Sequence, residues 1–343
     1  MTAVAPSPDI ARPTPAPQLR RGRLFGAELE RLRRRRLVQV LVAIFFIGLV
    51  AAGAIIFFTH HTDTAKAQAA AQQAYENEQR YYDEMVAQMR AEGAPPEEIP
   101  PRAKFAGRPE DYFQDPRYRA VDYLPQLVTG VGVAWALFAC MIGATFVGAE
   151  WAHKTMVALL FWEPRRLRVI GLKLAALLTG VAVIGAAAQI LAIGLGDLTA
   201  RWRGTFEGID AIKGGFWAPL LASAGRGVLL ALIAAAIGFA VANLVRHTAA
   251  VLGIAFVYFA ILESTVAGLR PAWQPYLLAT NIGAFLTRGG IDVQVPTGLV
   301  TGSPEAMFRQ VHLSSARGGL YLLAVAAVLV LISTALFRRR DLT

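Results

Sequence analysis

Apolar residues occur in six long runs, separated by polar stretches that are rich in charge, proline and glycine. The runs cover residues 37–58, 124–147, 169–195, 217–243, 249–268 and 318–337. A helix needs about 20 residues to cross about 30 Å of hydrocarbon, and each run is about that long. A segment in lipid must satisfy its own backbone hydrogen bonds, so we expect each run to be helical. The pattern predicts an all-α integral membrane protein with six transmembrane helices.

The composition agrees with this class, because 55% of the residues are hydrophobic and 17% are charged. A soluble domain carries fewer apolar and more charged residues. The first run follows a basic region, as the apolar core of a secretory signal does. Residues 37–58 exceed the roughly 7 to 15 residues of such a core, so we expect this run to be retained as a membrane anchor.

Basic residues predict the orientation of the chain. Arg33–Arg36 precede the first run and Arg338–Arg340 follow the last. Short basic segments beside spans stay in the cytoplasm, so we expect both termini there, as an even number of spans requires. Segment 59–122 holds twelve acidic against eight basic residues, which suits the outer face. The net charge of +10 therefore indicates topology in the cell membrane, and we expect no nucleic-acid partner.

The segment before the first run divides into two parts. Residues 1–18 hold five prolines and few large apolar side chains, which is typical of a disordered tail. Residues 19–36 are predicted to form an amphipathic basic cytoplasmic helix that lies in the lipid headgroup region. Its apolar stripe consists of Leu24, Phe25, Leu29 and Leu32. This helix either anchors the topology alone or also contacts a cytoplasmic partner.

Two long outer segments interrupt the membrane pattern. The extracytoplasmic insert 59–122 is predicted to be mostly helical, with a helix over 62–92 that ends before a cluster of prolines. The insert either caps a pathway, binds a partner or is a packed decoration. Residues 123–343 then form a five-span membrane domain. Its outer segment 269–316 is predicted to contain a short helix over 281–286 that dips into the interface.

The loop 148–168, between the second and third runs, carries the most informative pattern. Pro164 interrupts a continuous helix, and the helix restarts in the basic stretch that follows. GAEW at 148–151, Thr155, WEPRRLRV at 162–169 and Lys173 resemble the cytoplasmic loop of permease subunits of type-2, exporter-like ABC transporters. ELERLRRRRLV at 28–38 resembles the amphipathic helix before the first span of that family, and LFRRRDL at 336–342 resembles its terminal signature.

The resemblance implies a membrane-spanning permease subunit that forms the substrate pathway of an ATP-driven exporter. It implies that the loop docks on a separate ABC ATPase subunit, which binds ATP and magnesium, and that a second permease copy, identical or related, completes the membrane part. The residues implied in ATPase coupling are Glu150, Trp151, Lys154, Thr155, Glu163, Pro164, Arg165, Arg166, Arg168 and Lys173. The alternative is a non-transporting sensor or assembly scaffold whose outer segment binds a ligand.

The sequence does not predict chemistry within the chain itself. GAEWAHKT at 148–155 comes close to a phosphate-binding loop, but an apolar run precedes it where that motif needs a strand. The histidines are dispersed apart from the adjacent His60 and His61, whose rings would point apart in a helix. No spaced nucleophile and base are recognisable. We therefore expect no catalytic residue, no metal and no cofactor in this chain.

Arg226 and Glu263 are the charges that fall within the outer halves of the fourth and fifth runs. A charge in hydrocarbon costs about 2.5 to 3.5 kcal/mol on insertion scales, so such residues are rarely accidental. We expect the two to form a buried intramembrane pair that offsets this cost, or to line the substrate pathway.

Overall fold

The computed structural model describes residues 21–339 except 94, 97, 102–106, 153, 154, 156–164, 213 and 300–305. The predicted tail 1–18 and three predicted coupling residues, Lys154, Glu163 and Pro164, lie outside the described residues. The helices are α1 (Arg21–Arg34), α2 (Arg36–Thr59), α3 (Ala65–Ala91), α4 (Ala120–Ala152), α5 (Arg166–Arg203), α6 (Trp217–Val245), α7 (Thr248–Leu269), α8 (Leu278–Leu286) and α9 (Ser315–Arg339).

Six of these helices are long and apolar enough to cross a membrane, which confirms the predicted spans. They are α2, α4, α5, α6, α7 and α9. The arginines beside them gather at one end of the bundle, which we call the basic end: it contains Arg35, Arg165 and Arg338. The opposite end, which contains α3 and α8, is called the far end. Six spans place both ends of the described chain on the same side of the membrane.

The centre of the bundle is the contact between α4 and α6. A Cβ atom on Gly132 would lie 2.7 Å from the Cα of Gly227, so the two backbones touch there. Small residues allow such close approach between membrane helices, where van der Waals contact replaces the hydrophobic effect as the driving force. Two polar side chains then join α4 to α5: Trp135 donates to the carbonyl of Val181 at 3.1 Å, and Gln189 donates to that of Val128 at 3.1 Å.

The predicted basic helix is present as α1, and it packs on α5 rather than lying apart from the bundle. Leu32 is 5% exposed, and its side chain reaches Gly180, where a Cβ atom would lie 2.7 Å from it. The helix ends at Arg34. Arg35 takes an extended conformation, φ −69° and ψ 117°, so the chain bends there before α2 begins.

The predicted outer helix is also present, as α3. Its apolar stripe contacts the segment that follows it: the Tyr75 and Tyr112 rings lie 6.2 Å apart, and the Tyr82 hydroxyl donates to the carbonyl of Pro100 at 2.8 Å. Beside it, β1 (Tyr118–Arg119) pairs in parallel with β2 (Gly204–Thr205).

The far end also contains an antiparallel hairpin that the sequence analysis did not predict. Strands β3 (Ile291–Leu299) and β4 (Ala306–Leu313) follow α8, and Val293 and Val295 alternate inward from β3. Gly289 and Gly290 take positive φ values of 86° and 106° at the turn that starts it. The predicted short helix of this segment is α8. It begins three residues earlier than predicted and ends at Leu286, as predicted.

Candidate functional site

A cluster of charged side chains is buried at the basic end, where α1, α4 and α5 meet. The Lys173 ammonium on α5 lies 2.6 Å from Glu28 Oε2 on α1 and 2.9 Å from Glu150 Oε1 on α4. Arg35, at the bend between α1 and α2, donates to the same Glu150 oxygen at 2.6 Å. Arg31, whose side chain is 49% exposed, lies 2.8 Å from Glu28 and completes the group at its surface. We call these five residues the charge cluster.

Phe146 forms the apolar floor of the charge cluster. Its fully buried ring lies 4.9 Å from the Lys173 nitrogen and 4.9 Å from the Arg35 guanidinium carbon. Both distances suit cation–π attraction. Arg35 also donates to the backbone carbonyl of Thr145 at 3.0 Å. Burial lowers the pKa of the Arg35 guanidinium, and the Glu150 carboxylate opposes that shift.

Burial makes these charges interdependent. Lys173 is 0% exposed, and Glu28 and Glu150 are each 6% exposed. Removal of one member of a buried ion pair costs about 3 to 5 kcal/mol, because the other charge is left without compensation. The three cations and two carboxylates alternate along the cluster, so each carboxylate is shared between two cations. The arrangement therefore joins three separate helices by contacts that none of them satisfies alone.

A second polar chain joins α4 to α6 and α9 nearby. The Trp151 indole N–H donates to Asn243 Oδ1 at 3.0 Å, and Asn243 Nδ2 donates to Ser333 Oγ at 2.8 Å. Arg246 lies over the Trp151 ring at 4.5 Å, and Phe337 meets the same ring edge-on. We call Trp151, Asn243 and Ser333 the polar ladder. Together, the charge cluster and the polar ladder connect α1, α4, α5, α6 and α9 at one level of the bundle.

Some of the predicted coupling residues lie at or near the surface of the basic end, and others bind inside the bundle. Thr155 and Arg165 are exposed at the two roots of the α4–α5 loop, and the Thr155 hydroxyl donates to the carbonyl of Glu150 at 3.3 Å. Arg166 donates to the carbonyls of Phe337 and Arg338 at 3.3 Å each and so joins α5 to α9. Arg168 is half-buried on the first turn of α5. These side chains lie at or near the surface of the basic end.

Glu150 and Lys173, two of the residues implied in ATPase coupling, lie inside the bundle. Their charged atoms bind inside the chain, and Lys173 offers no surface to a partner. Trp151 is likewise committed to Asn243 within the bundle. The physical reason is depth: Lys173 lies seven residues after Arg166 on α5, about 10 Å along the helix.

The expected pair of Arg226 and Glu263 is wrong. Among the described residues neither side chain reaches the other, and each binds one end of α8 instead. Glu263 Oε1 accepts a hydrogen bond from the backbone N–H of Ala279 at 2.9 Å. Arg226 Nη1 donates to the carbonyls of Phe285 and Leu286 at 3.4 and 3.3 Å. The unpaired backbone groups of a helix end bind each charge in place of an oppositely charged side chain.

Sequence reasoning missed Glu28, Arg35 and Asn243 as members of this site. A signal existed for Glu28, because it interrupts the apolar stripe of α1 at helical spacing from Leu24 and Leu32. An acid in an apolar stripe indicates a buried cation opposite it. Arg35 lies in a run of arginines, where nothing in the sequence separates it from its neighbours.

In the described part of the chain, no group of three or more His, Cys, Asp and Glu side chains is placed so that it could hold a metal ion. A pocket at the basic end has a volume of about 490 Å³ and is lined by Arg165, Leu167, Arg168, Gly171 and Leu172.

Comparison with known proteins identifies the family of the chain. No curated protein matches this chain. The model of a protein family described as "ABC-2 family transporter protein" matches residues 23–342, which include α1, all six spans and the loop between α4 and α5. Because the match extends over nearly the whole sequence, the chain belongs to the ABC-2 family and is the membrane-spanning, non-catalytic permease component of an ABC transporter.

Proposed function

We propose that this permease is the membrane subunit of an ATP-driven exporter and that it receives work from a separate ATPase through the α4–α5 loop. Membership of the ABC-2 family implies an ABC ATPase partner in general terms. The observation that carries the finer proposal is the charge cluster, which joins α1, α4 and α5 at the root of that loop. ATP and magnesium bind to the partner in this scheme, and this chain holds neither.

The proposal places the basic end in the cytoplasm of the cell and the far end outside. The arginines of the basic end support this orientation by the positive-inside rule. Exposed aromatic side chains at the far end suit an interface between membrane and water, where indole and phenol rings concentrate. They include Trp202, Trp217, Trp273 and Tyr276. Both termini are then cytoplasmic.

Movement of the loop has a defined route into the bundle. Thr155 and Arg165 lie at its two roots, so an ATPase surface that grips the loop displaces the ends of α4 and α5. The charge cluster transmits that displacement to α1 and, through Arg35, to the start of α2. The polar ladder transmits it to α6 and α9. Contacts of this kind shift packed helices as units between two arrangements.

The roles of the predicted coupling residues follow from their positions. Arg165 and Thr155 are assigned to direct contact with the ATPase because they are exposed. Arg166 and Arg168 are assigned to the border of that contact. Glu150 and Lys173 are positioning residues, which hold the loop's roots against α1.

A second permease copy, identical or related, belongs to the proposal because a pathway between two membrane halves needs two of them. The span α7 is the most open to that copy or to lipid, since only 11% of the residues in its apolar stretch are buried within this chain. The cargo would pass along the interface between the two copies.

Two variants test the scheme in the chain co-expressed with candidate ABC ATPases from the same genome and purified into lipid nanodiscs. Arg165→Glu changes an exposed residue at the loop, and we expect it to lower co-purification of the ATPase at least fivefold. Lys173→Met changes a fully buried residue, and we expect it to keep co-purification but to abolish the effect of the permease on ATP hydrolysis. Arg33→Glu is the matched control, because Arg33 is an exposed arginine at the same end with a side chain that is 76% exposed.

Each outcome decides one part of the proposal. If the wild-type chain does not retain the ATPase, the exporter scheme is wrong and the sensor or scaffold becomes the better interpretation. If Arg165→Glu and Arg33→Glu behave alike, the α4–α5 loop is not the docking element. If Lys173→Met leaves the stimulation of ATP hydrolysis unchanged, the charge cluster does not transmit the movement.

A further inference from the structure

We propose that Arg226 and Glu263 are positioning residues that hold α8 in its seat at the far end by binding its two opposite ends. We call this arrangement the helix clamp; it consists of these two side chains and α8. It lies at the other end of the bundle from the charge cluster and does not depend on the ATPase docking proposed above. The inference rests on which backbone groups the two charges bind.

The first half of the clamp is at the start of α8. Glu263 is 5% exposed, and its carboxylate accepts the N–H of Ala279, the second residue of α8, at 2.9 Å. The π-helical turn Val257–Leu262 lies directly before it in α7, and the Glu263 N–H bonds to the carbonyl of Tyr258, five residues earlier. This turn aligns Tyr258 with Glu263, and the tyrosine side chain interacts with Glu263 and the backbone of Leu278. Such turns are frequent at functional sites.

The second half is at the end of α8. The Arg226 guanidinium binds the carbonyls of Phe285 and Leu286, which are among the last carbonyls of the helix and have no partner within it. Arg226 lies nine residues, about 13 Å along the helix, after Trp217, the start of α6, so the end of α8 is bound from within the length of that span.

The signs of both charges match the helix they bind. A helix carries partial positive charge at its start and partial negative charge at its end. Glu263 lies at the positive end and Arg226 at the negative end, so both interactions are favourable. Since the two charges meet the same nine-residue helix, neither needs the other as a direct partner.

The seat of α8 is formed by α9. A Cβ atom on Gly318 would lie 2.6 Å from the carbonyl oxygen of Asn281, and one on Gly319 would lie 2.8 Å from the Phe285 ring. Ala284 is 0% exposed in this contact. Thus α8 rests on α9 while α7 binds its start and α6 its end. If α6 and α7 separate, α8 must lose one of its two charged contacts.

Cysteine accessibility tests the clamp in the purified full-length permease, in nanodiscs and without an ATPase. Cys140 is first changed to alanine, and Ala284→Cys then places a single thiol on the face of α8 that packs against α9. We measure its labelling rate with a membrane-impermeant maleimide. We expect Glu263→Met or Arg226→Met, which remove the acceptor or the donor, to raise that rate at least tenfold, and Arg226→Lys, which still donates to carbonyls, to restore most of the protection. Ala272→Cys, which is exposed, gives the fully labelled reference.

Charge exchange separates the clamp from a direct ion pair. In the double variant Glu263→Arg with Arg226→Glu, a direct pair would be rebuilt and would restore protection. The clamp predicts labelling at least as fast as in either single variant, because each charge then meets the wrong end of α8. A second reporter, Ala144→Cys in the fully buried centre of α4, must stay unlabelled throughout, which distinguishes release of α8 from unfolding. Protection restored by the exchange, or unchanged by the single variants, overturns the proposal.

Discussion

The strength of the charge cluster is best tested on its central pair, Lys173 and Glu150. The perturbation is a double-mutant cycle of Lys173→Met, Glu150→Gln and both together, which isolates the pairwise term. The two charged atoms lie 2.9 Å apart between side chains that are 0% and 8% exposed. At an effective dielectric constant of about 20, two unit charges at that distance attract by about 6 kcal/mol.

The measured coupling will be smaller than this attraction. Glu150 keeps Arg35 when Lys173 is removed, and Lys173 keeps Glu28 when Glu150 is removed, so each single variant retains partial compensation. We therefore expect a coupling energy of about 2 to 3 kcal/mol, in the upper range for residues in one network. Each single variant should lower the free energy of unfolding by about 3 kcal/mol, the lower limit for a broken buried pair.

A matched control exists at the far end of α5. Arg201 and Asp197 form an ion pair of similar length, 2.7 Å, but their side chains are 65% and 29% exposed. The cycle of Arg201→Gln and Asp197→Asn should give about 0.3 to 0.5 kcal/mol, as exposed helical pairs do. Reversible unfolding in mixed detergent micelles measures both cycles in the same chain.

The comparison refutes the reasoning under one clear condition. If the Lys173–Glu150 coupling does not exceed that of Arg201 and Asp197, burial does not strengthen the cluster. The cluster could then not transmit a displacement between α4 and α5 any better than a solvated surface pair.

Further variants test the packing of the membrane domain. Gly132→Ala should lower the free energy of unfolding by about 1 to 3 kcal/mol, because its Cβ meets the backbone of Gly227. Gly130→Ala has open space around it and should be neutral or stabilising by up to about 0.5 kcal/mol. Equal effects of the two variants in thermal unfolding would contradict this. Tyr118 is 0% exposed, and its hydroxyl has no hydrogen-bond partner among the described residues, so Tyr118→Phe should stabilise the fold by about 1 kcal/mol. Burial raises the pKa of Tyr118 from 10.0 to about 12, so the folded state holds the phenol proton more tightly than the unfolded state does. The free energy of unfolding of the wild-type chain should therefore fall between pH 10 and 12. The Tyr118→Phe variant should not show this fall.

The six spans could be predicted from sequence because lipid imposes a single requirement on every residue of a span. Each run of about 20 apolar residues must become a helix, whatever its neighbours do. The same logic failed at the far end, where water is available to backbone groups. There the alternation in Ile291–Leu299 indicates a strand, but the sequence analysis predicted only the short helix before it.

The basic helix shows the limit for amphipathic segments. Its existence followed from the spacing of Leu24, Phe25, Leu29 and Leu32, and the structure places these side chains in partly or fully buried positions. The sequence did not show what these side chains pack against, because an apolar stripe suits a lipid surface and a neighbouring helix equally well. Glu28 decides between the two, since a buried acid needs a cation opposite it and Lys173 supplies one.

The charges of the spans show a second limit. Their cost in hydrocarbon indicated that Arg226 and Glu263 have partners, and this inference holds for both. The predicted pairing of Arg226 with Glu263 was wrong because a sequence shows only charged side chains as possible partners for a charge. Helix ends carry charge as well, and they become visible only when the backbone is placed.

The two ends of the bundle therefore use charge for opposite purposes. At the basic end, side chains from three helices compensate one another, so a helix that moves must take its partners along or leave a charge unpaired in the interior. At the far end, two side chains bind backbone dipoles of one short helix, and backbone hydrogen-bond partners can be replaced by water at modest cost. In the exporter scheme proposed above, the end that receives force must move as a unit while the opposite end must let go, so the scheme uses both properties. The distribution of charge thus predicts that Lys173 variants fail to transmit the proposed displacement, whereas Arg226 and Glu263 variants release α8.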